Sequence, residues 1–153
     1  MPISLEMRLS GTLRLSDETG KRTRGGFRRL INDNAPIFER YFGVKLFPGS
    51  LNVDVRNPPA LQRQLDAGKP VPHIIIPRTE LINMPEYIGD GQAWACRLNS
   101  AKLPEAIECW IFRRKDSRVP PGVIEILARE PLTQPFDLKH GDAVTIEVCS
   151  LSI

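Results

Sequence analysis

Histidine, cysteine and aromatic side chains are scarce in this chain, and each scarcity removes a kind of chemistry. There are three cysteines, two histidines and 7% aromatic residues. Cys96, Cys109 and Cys149 are odd in number and show no C-x-x-C spacing, which leaves neither a disulfide framework nor a thiolate zinc site. They lie in apolar, strand-like runs and are expected to be reduced, packed thiols of a cytoplasmic protein. His73 and His140 have no metal-ligand neighbours and no triad setting, so His73 is read as packed and His140 as a turn residue. No run approaches the roughly 18 apolar residues of a membrane span. No apolar N-terminal stretch follows a basic one, and no signal peptide is expected. The P-loop spacing G-x-x-x-x-G-K-[ST] is missing, as are internal repeats, low-complexity tracts and a domain linker.

What remains is an ordinary globular composition. The 153 residues are 41% hydrophobic and 25% charged, which predicts one domain over 1–153 with a sizeable core. A net charge of +3 with pI near 8.9 suits a phosphate-bearing ligand or nucleic acid. Fourteen prolines and eleven glycines spread along the chain point to many short elements joined by turns. Seven or eight short strands are predicted: one or two over 3–15, joined near Gly11, then 50–56, 73–76, 92–98, 106–112, 123–128 and 144–148. A helix is expected after Asn34 as N-cap, with Pro36 in its first turn, an Ile37, Phe38, Tyr41, Phe42 stripe and Gly43 as stop. A second is expected after Pro58-Pro59, with Leu61 and Leu65 inward and Gly68 closing it. The sum is a mainly β chain with two short helices, patterned as a compact β-barrel with helices packed outside.

Three stretches break this plain pattern. In Phe47-Pro48-Gly49-Ser50-Leu51-Asn52-Val53-Asp54-Val55, the alternation behind the turn puts Leu51, Val53 and Val55 on one face and Ser50, Asn52 and Asp54 on the other. A hydroxyl, an amide and a carboxylate at this spacing suit an Mg²⁺ ion that keeps several waters; spacing alone equally describes a strand with a wet outer face. Residues 19–29 carry five basic residues and three glycines with no hydrophobic period, and are read as a loop. Backbone N–H groups and arginines there can form an anion nest, or simply a solvated loop. In Val123-Ile124-Glu125-Ile126-Leu127-Ala128 a lone carboxylate interrupts a strand that reads as covered on both faces, and such contradictions gather at functional sites. Residues 113–118 read as a second basic loop.

Three motifs, taken together and in this order, resemble those of the archaeal-type CTP-dependent riboflavin kinases. Pro48-Gly49-Ser50-Leu51-Asn52 is close to that family's P-G-T-L-N. Ile124-Glu125-Ile126-Leu127-Ala128, with Leu132 following, is close to I-E-I-I-A-P-x-x-L-R, and Leu138-Lys139-His140-Gly141-Asp142-Ala143-Val144 is close to L-x-D-G-D-x-V. The resemblance implies a six-stranded cradle-loop β-barrel with Mg²⁺ on Ser50 and Asn52. It implies Glu125 at the ribityl end of the flavin and Ser117 on the flavin side. Glu130, Pro131, Leu132 and Thr133 then bind the nucleotide, and the loop of Gly20, Lys21, Arg22, Arg24, Gly25 and Gly26 cradles CTP. The sequence departs from the family's pattern in the register of that glycine loop, in Thr133 where an arginine is usual, and in Val119 where a histidine is usual.

On this resemblance Glu125 is the candidate general base, and burial among its apolar neighbours would bring its proton affinity nearer the working pH. Arg22, Arg24, Arg28 and Arg29 are candidates for holding the triphosphate, with Lys21 adding to the field. The expected partners are CTP and riboflavin or another small alcohol, yielding FMN and CDP where riboflavin is the acceptor. Neither nucleic acid nor a membrane is expected as a partner, and a monomer or small homo-oligomer is. Two alternatives stay open from the residues alone: the same transfer to a different alcohol, and a non-catalytic nucleotide- or nucleic-acid-binding barrel.

Overall fold

Leu51, Val53 and Val55 are buried while Asn52 and Asp54 are half-buried, so the alternation seen in the sequence makes a strand with one face inside. In the computed structural model, which describes residues 3–14, 26–48, 51–55, 64–65, 67–82, 89–115, 122–132 and 135–151, that strand is one of seven. They are β1 (Ile3–Arg14), β2 (Leu51–Val55), β3 (Ile74–Ile76), β4 (Gly91–Asn99), β5 (Ile107–Arg114), β6 (Val123–Leu127) and β7 (Ala143–Leu151). Pairing runs β4-β5-β6-β2-β1-β7 and returns from β7 to β4, which closes six antiparallel strands into a ring. The seventh, β3, is appended to the ring where Gly91, Gln92 and Ala93 of β4 have not yet met β7. A register shift between Leu5 and Met7 bends β1 along β7.

The ring sorts its apolar residues into two layers. Leu13, Val53, Leu98, Ile111, Ile126, Ile146 and Val148 fill the interior, with Leu65, Leu103, Leu132 and Leu138 packed against them from the connections. Outside, two helices, α1 (Gly26–Asp33) and α2 (Ala35–Phe42), lay Leu30, Ile31, Phe38 and Phe42 over Ile76, Ala93, Phe112 and Leu127. Each leucine, isoleucine or phenylalanine among them, fully buried, contributes about 1.5–3 kcal/mol. Trp94 is fully buried and donates its Nε1–H to the Pro70 carbonyl at 2.7 Å, while Trp110 meets Phe42 edge-on at 5.2 Å, so both tryptophans serve packing.

Several local expectations are corrected by tertiary contacts. The stretch 19–29 is not wholly loop, because Gly26 opens α1 and Leu30 and Ile31 are held under α2. Asn34 does not cap α2 with its side chain; it is buried, and its carboxamide donates to the carbonyls of Leu30 and Ile82 and accepts from the Ile82 N–H. That clamp pins residues 81–82 to the junction of the helices. Gly43 does end α2 as predicted, at φ 74° with its N–H on the Glu39 carbonyl. β3 is not a buried strand, since Ile75 is half exposed at the sheet edge. His73 is exposed and accepts a hydrogen bond from the Ala95 N–H through Nδ1, not packed as expected. Arg113 and Arg114 belong to β5 and not to a loop. Of the helix predicted after Pro58-Pro59, residues 64–65 are helical and Leu65 is buried; 56–63 lie outside the described residues.

The turn at 137–142 leads into β7. Gly141 donates its N–H to the Leu13 carbonyl and Leu13 donates to the Asp142 carbonyl, both at 2.9 Å, which ties the turn to β1. Asp142 accepts from Lys102 Nζ and from the Lys139 N–H, each at 2.8 Å. The hydrogen bond from Lys102, then that from Lys139, holds the Asp142 carboxyl below the usual carboxylate range; the hydrogen bond from Arg8 does the same for Glu147. Depressed folded-state values mean that both contributions are present above the unfolded-state pKa and are lost as pH falls through the folded one. The melting temperature is therefore expected to be level above about pH 5 and to fall below about pH 4. An Asp142→Asn, Glu147→Gln double variant should show a shallower acid limb in a thermal melt series. Parallel acid limbs would assign the acid sensitivity to other groups.

Candidate functional site

Side chains that stand directly opposite one another in antiparallel strands have Cβ atoms about 5 Å apart and share a face. The register of the ring therefore draws a row across its outside: Ile74, Ala93, Phe112, Glu125, Asn52 and Arg14, each opposite the next. The apolar end lies beneath the helices, where Ala93 and Phe112 join the outer packing layer. The polar end emerges from it, with Glu125 and Asn52 half-buried and Arg14 exposed. The contradiction in β6 thus has a structural reading: Ile124 and Ile126 face the interior, Leu127 is fully covered outside, and Glu125, two residues earlier on that outer face, is covered only in part. Asp54, next along the outer face of β2, is ion-paired with Arg14 at 3.0 Å, both side chains being 40–49% exposed.

Asn52 and Glu125, singled out separately in the sequence, are thus brought side by side on adjacent strands. A carboxamide oxygen beside a carboxylate is a hard donor set. Such a set fits Mg²⁺, which completes its shell with water and phosphate oxygens. Ser50 itself lies outside the described residues, as do Gly20, Lys21, Arg22, Arg24, Gly25, Ser117 and Thr133. Among the described residues there is no group of three or more His, Cys, Asp or Glu side chains placed to hold a metal.

The same register sorts the predicted segments by end of the ring. Arg14, Leu51 and Ala128 come to one end, where the Phe47 N–H donates to the Ala128 carbonyl at 2.9 Å. Arg14 and Ala128 precede, and Leu51 lies within, segments predicted to bind nucleotide or metal: 20–26, 130–133 and 50–52 respectively. Of these, Gly26 opens α1, Glu130 and Pro131 are exposed, and the Leu132 side chain is committed to the core. Val55, Lys115 and Gly122 come to the opposite end, where the Val55 N–H meets the Gly122 carbonyl at 2.8 Å and Lys115 pairs with Gly89 and Asp90. Lys115 and Gly122 flank the segment with Ser117. Glu125 stands between the two ends.

At that second end a pocket opens between β5 and β6, lined by Leu65, Ile111, Phe112, Arg113, Val123, Ile124 and Glu125. Arg113 is 8% exposed. Sequence reasoning missed it by reading 113–118 as a loop; carrying the inward alternation Cys109, Ile111 one step further would have placed it.

Comparison with known proteins bears on this arrangement. A family model described as CTP-dep_RFKase, domain of unknown function DUF120, matches residues 31–148. The chain is 32% identical over 118 residues to a riboflavin kinase of Pyrococcus abyssi (strain GE5 / Orsay), covering 77% of this chain and 50% of that protein. It is 31% identical over 118 residues to a riboflavin kinase of Thermococcus kodakarensis, covering 77% and 51%. A riboflavin kinase of Methanospirillum hungatei JF-1 is 27% identical over 124 residues, covering 81% and 52%. The chain spans about half the length of the curated relatives it matches. The family match contains Asn52, Arg113 and Glu125 and begins after the glycine- and arginine-rich segment at 19–29.

Proposed function

We propose, from the premise that this chain belongs to the CTP-dependent riboflavin kinase domain family, that it transfers the terminal phosphoryl group of CTP to the ribityl 5′-hydroxyl of riboflavin, giving FMN and CDP. The observation that carries this reading is the opposition of Asn52 and Glu125 on neighbouring strands, at the edge of the helical layer. Phosphoryl transfer asks a protein chiefly for positioning and charge neutralisation, because its transition state is loose. Asn52 and Ser50 would hold Mg²⁺, which when bound offsets the charge of the phosphates. Glu125 takes the proton of the attacking hydroxyl and keeps it off the incoming oxygen. Gly20, Lys21, Arg22, Arg24, Gly25 and Gly26 would grip the triphosphate through backbone N–H groups and positive charge, with Glu130, Pro131, Leu132 and Thr133 contacting the nucleotide. Ser117 would contact the acceptor. The working setting is the cytoplasm, as a monomer or small homo-oligomer.

A product assay tests this directly. Purified protein with Mg²⁺, riboflavin and each of the four nucleoside triphosphates in turn is expected to yield FMN with CTP alone. FMN from none of them, with CTP binding intact, would show that the acceptor is another alcohol or that the barrel only binds.

A further inference from the structure

Cys96 on β4 and Cys109 on β5 stand directly opposite one another, within a ladder that runs unbroken from the Gly91–Arg114 pair to the Leu98–Ile107 pair. Both side chains belong to the interior of the ring, where Cys96 is 5% and Cys109 2% exposed, and their sulfurs meet at 3.5 Å. β4 is laddered to β7 here as well, with Cys96 opposite Val148, so the Cys96 backbone is held from both edges. Opposed residues of an antiparallel pair have Cα atoms about 4.5 or 5.5 Å apart. Both separations fall within the roughly 4.4–6.8 Å that a disulfide spans. The backbone is therefore already in place, and side-chain rotation alone has to bring the sulfurs to about 2.05 Å.

An odd cysteine count argues against a framework that uses every thiol, but it leaves room for one pair with Cys149 over. We propose that Cys96 and Cys109 form a reversible disulfide that staples β4 to β5 inside the ring, with a low-molecular-weight disulfide as oxidant. One protein thiolate attacks a sulfur of the small disulfide, which breaks that S–S bond, forms a mixed disulfide and expels one small thiolate. The second protein thiolate attacks the protein sulfur of the mixed disulfide, forms the Cys96–Cys109 bond and expels the other small thiolate. The protons of the two protein thiols end on the two expelled thiolates. The protein thus loses two electrons, and the small disulfide is reduced to two thiols.

Burial sets when this exchange runs. In the closed ring both cysteines share the interior cluster with Trp94, Leu98 and Ile111, an apolar setting that disfavours the thiolate and leaves a small disulfide no way in. Exchange therefore belongs to the open β4–β5 hairpin, in which the connection 100–106 keeps the two cysteines near each other. Closure of the ring then shields the bond from reductant, as it shields the thiols from oxidant. In a reducing setting the pair stays as two thiols in contact, and it becomes a bond where oxidised small thiols accumulate.

The test is to refold the protein from denaturant, or to hold it just below its melting transition, in glutathione buffers of increasing oxidised fraction. Acid quenching and alkylation in denaturant then count the remaining thiols by mass spectrometry. Of the three cysteines, all are expected to be alkylated at the reduced end and Cys149 alone at the oxidised end, with peptides joined through Cys96 and Cys109. The oxidised protein should melt about 5–10 °C higher, and reduction with dithiothreitol in denaturant before refolding should remove the difference. Cys149→Ser should keep this response and Cys96→Ser should lose it. Full alkylation at every ratio, glutathione adducts without a joined pair, a bond that includes Cys149, or a joined pair that leaves the melting temperature unchanged would each overturn the proposal. The peptide map and melt of the unaltered protein decide the matter should a variant fail to fold. None of these readouts uses CTP or riboflavin, so the result stands apart from the kinase reading.

Discussion

Glu125→Gln is expected to lower kcat for FMN formation by about 10²- to 10⁴-fold, the usual worth of a positioned general base. The substitution keeps the shape of the side chain and one oxygen acceptor, so it leaves the β6 alternation and the packing of Ile124 and Ile126 in place. What it removes is the ability to accept a proton. Asn52→Ala acts on the neighbouring position of the same row and removes the carboxamide proposed to hold the cation. On the proposed roles the two groups serve one transition state, so the double variant should lose little more than the worse single variant, far less than the product of the two losses. The measurement is kcat at saturating CTP and riboflavin, with thermal melts to establish that each variant is folded. A Glu125→Gln protein that keeps more than about a third of parental turnover would place proton acceptance elsewhere, against what Brønsted behaviour predicts for this site. Retained turnover in Asn52→Ala at unchanged Mg²⁺ dependence would remove the carboxamide from the metal site.

The parts of this structure that could be read in the sequence are those that period and turn chemistry determine locally. The alternation through Leu51, Val53 and Val55 became β2, the Pro36-to-Gly43 stripe became α2, and the Gly141-Asp142 stretch became the turn that leads into β7. Where the sequence misled, a tertiary contact had overridden a local signal. Asn34 does stand at the N-cap of α2, its carbonyl accepting from the Ile37 and Phe38 N–H groups, but its buried carboxamide bonds Leu30 and Ile82 instead of the first turn. α1 was hidden because glycine and arginine dominate its first turn; its helix rests on Leu30 and Ile31 docking beneath α2, which no local pattern displays. Arg113 was taken for loop because charge clusters usually are loop, although it continues an inward alternation. The site was legible only as separate pieces. Asn52 and Glu125 are far apart in sequence, and their opposition follows from β2 pairing with β6, a non-local choice that the alternation of neither strand reveals.

That pairing has a weak point at Gly11. Gly11 lies opposite Val55 on β2 and Val144 on β7, so β1 is laddered on both sides there. A Cβ at Gly11 would lie 2.2 Å from the Asp54 carbonyl oxygen and 2.9 Å from Val53 Cγ1. The side-chain contact could be eased by rotation, but the carbonyl belongs to a strand held by β1 on one edge and β6 on the other. Relief requires β1 to move away from β2, which is the movement the ring resists. Gly11→Ala is therefore expected to cost about 3 kcal/mol, at the upper end for overpacking, and to lower the melting temperature by roughly 10 °C. Gly43→Ala supplies the contrast: nothing lies within 4 Å of its Cβ, but its φ of +74° makes an alanine strained, which costs about 1–2 kcal/mol. The first cost is steric and falls on β2, two positions from Asn52; the second is a backbone strain at the end of α2. Gly11→Ala should thus reduce FMN formation well below the melting transition, and Gly43→Ala should not. Equal melting temperatures for the two variants, with activity lost in neither, would mean that β1 and β2 do not approach this closely and that the row from Arg14 to Glu125 is drawn in the wrong register.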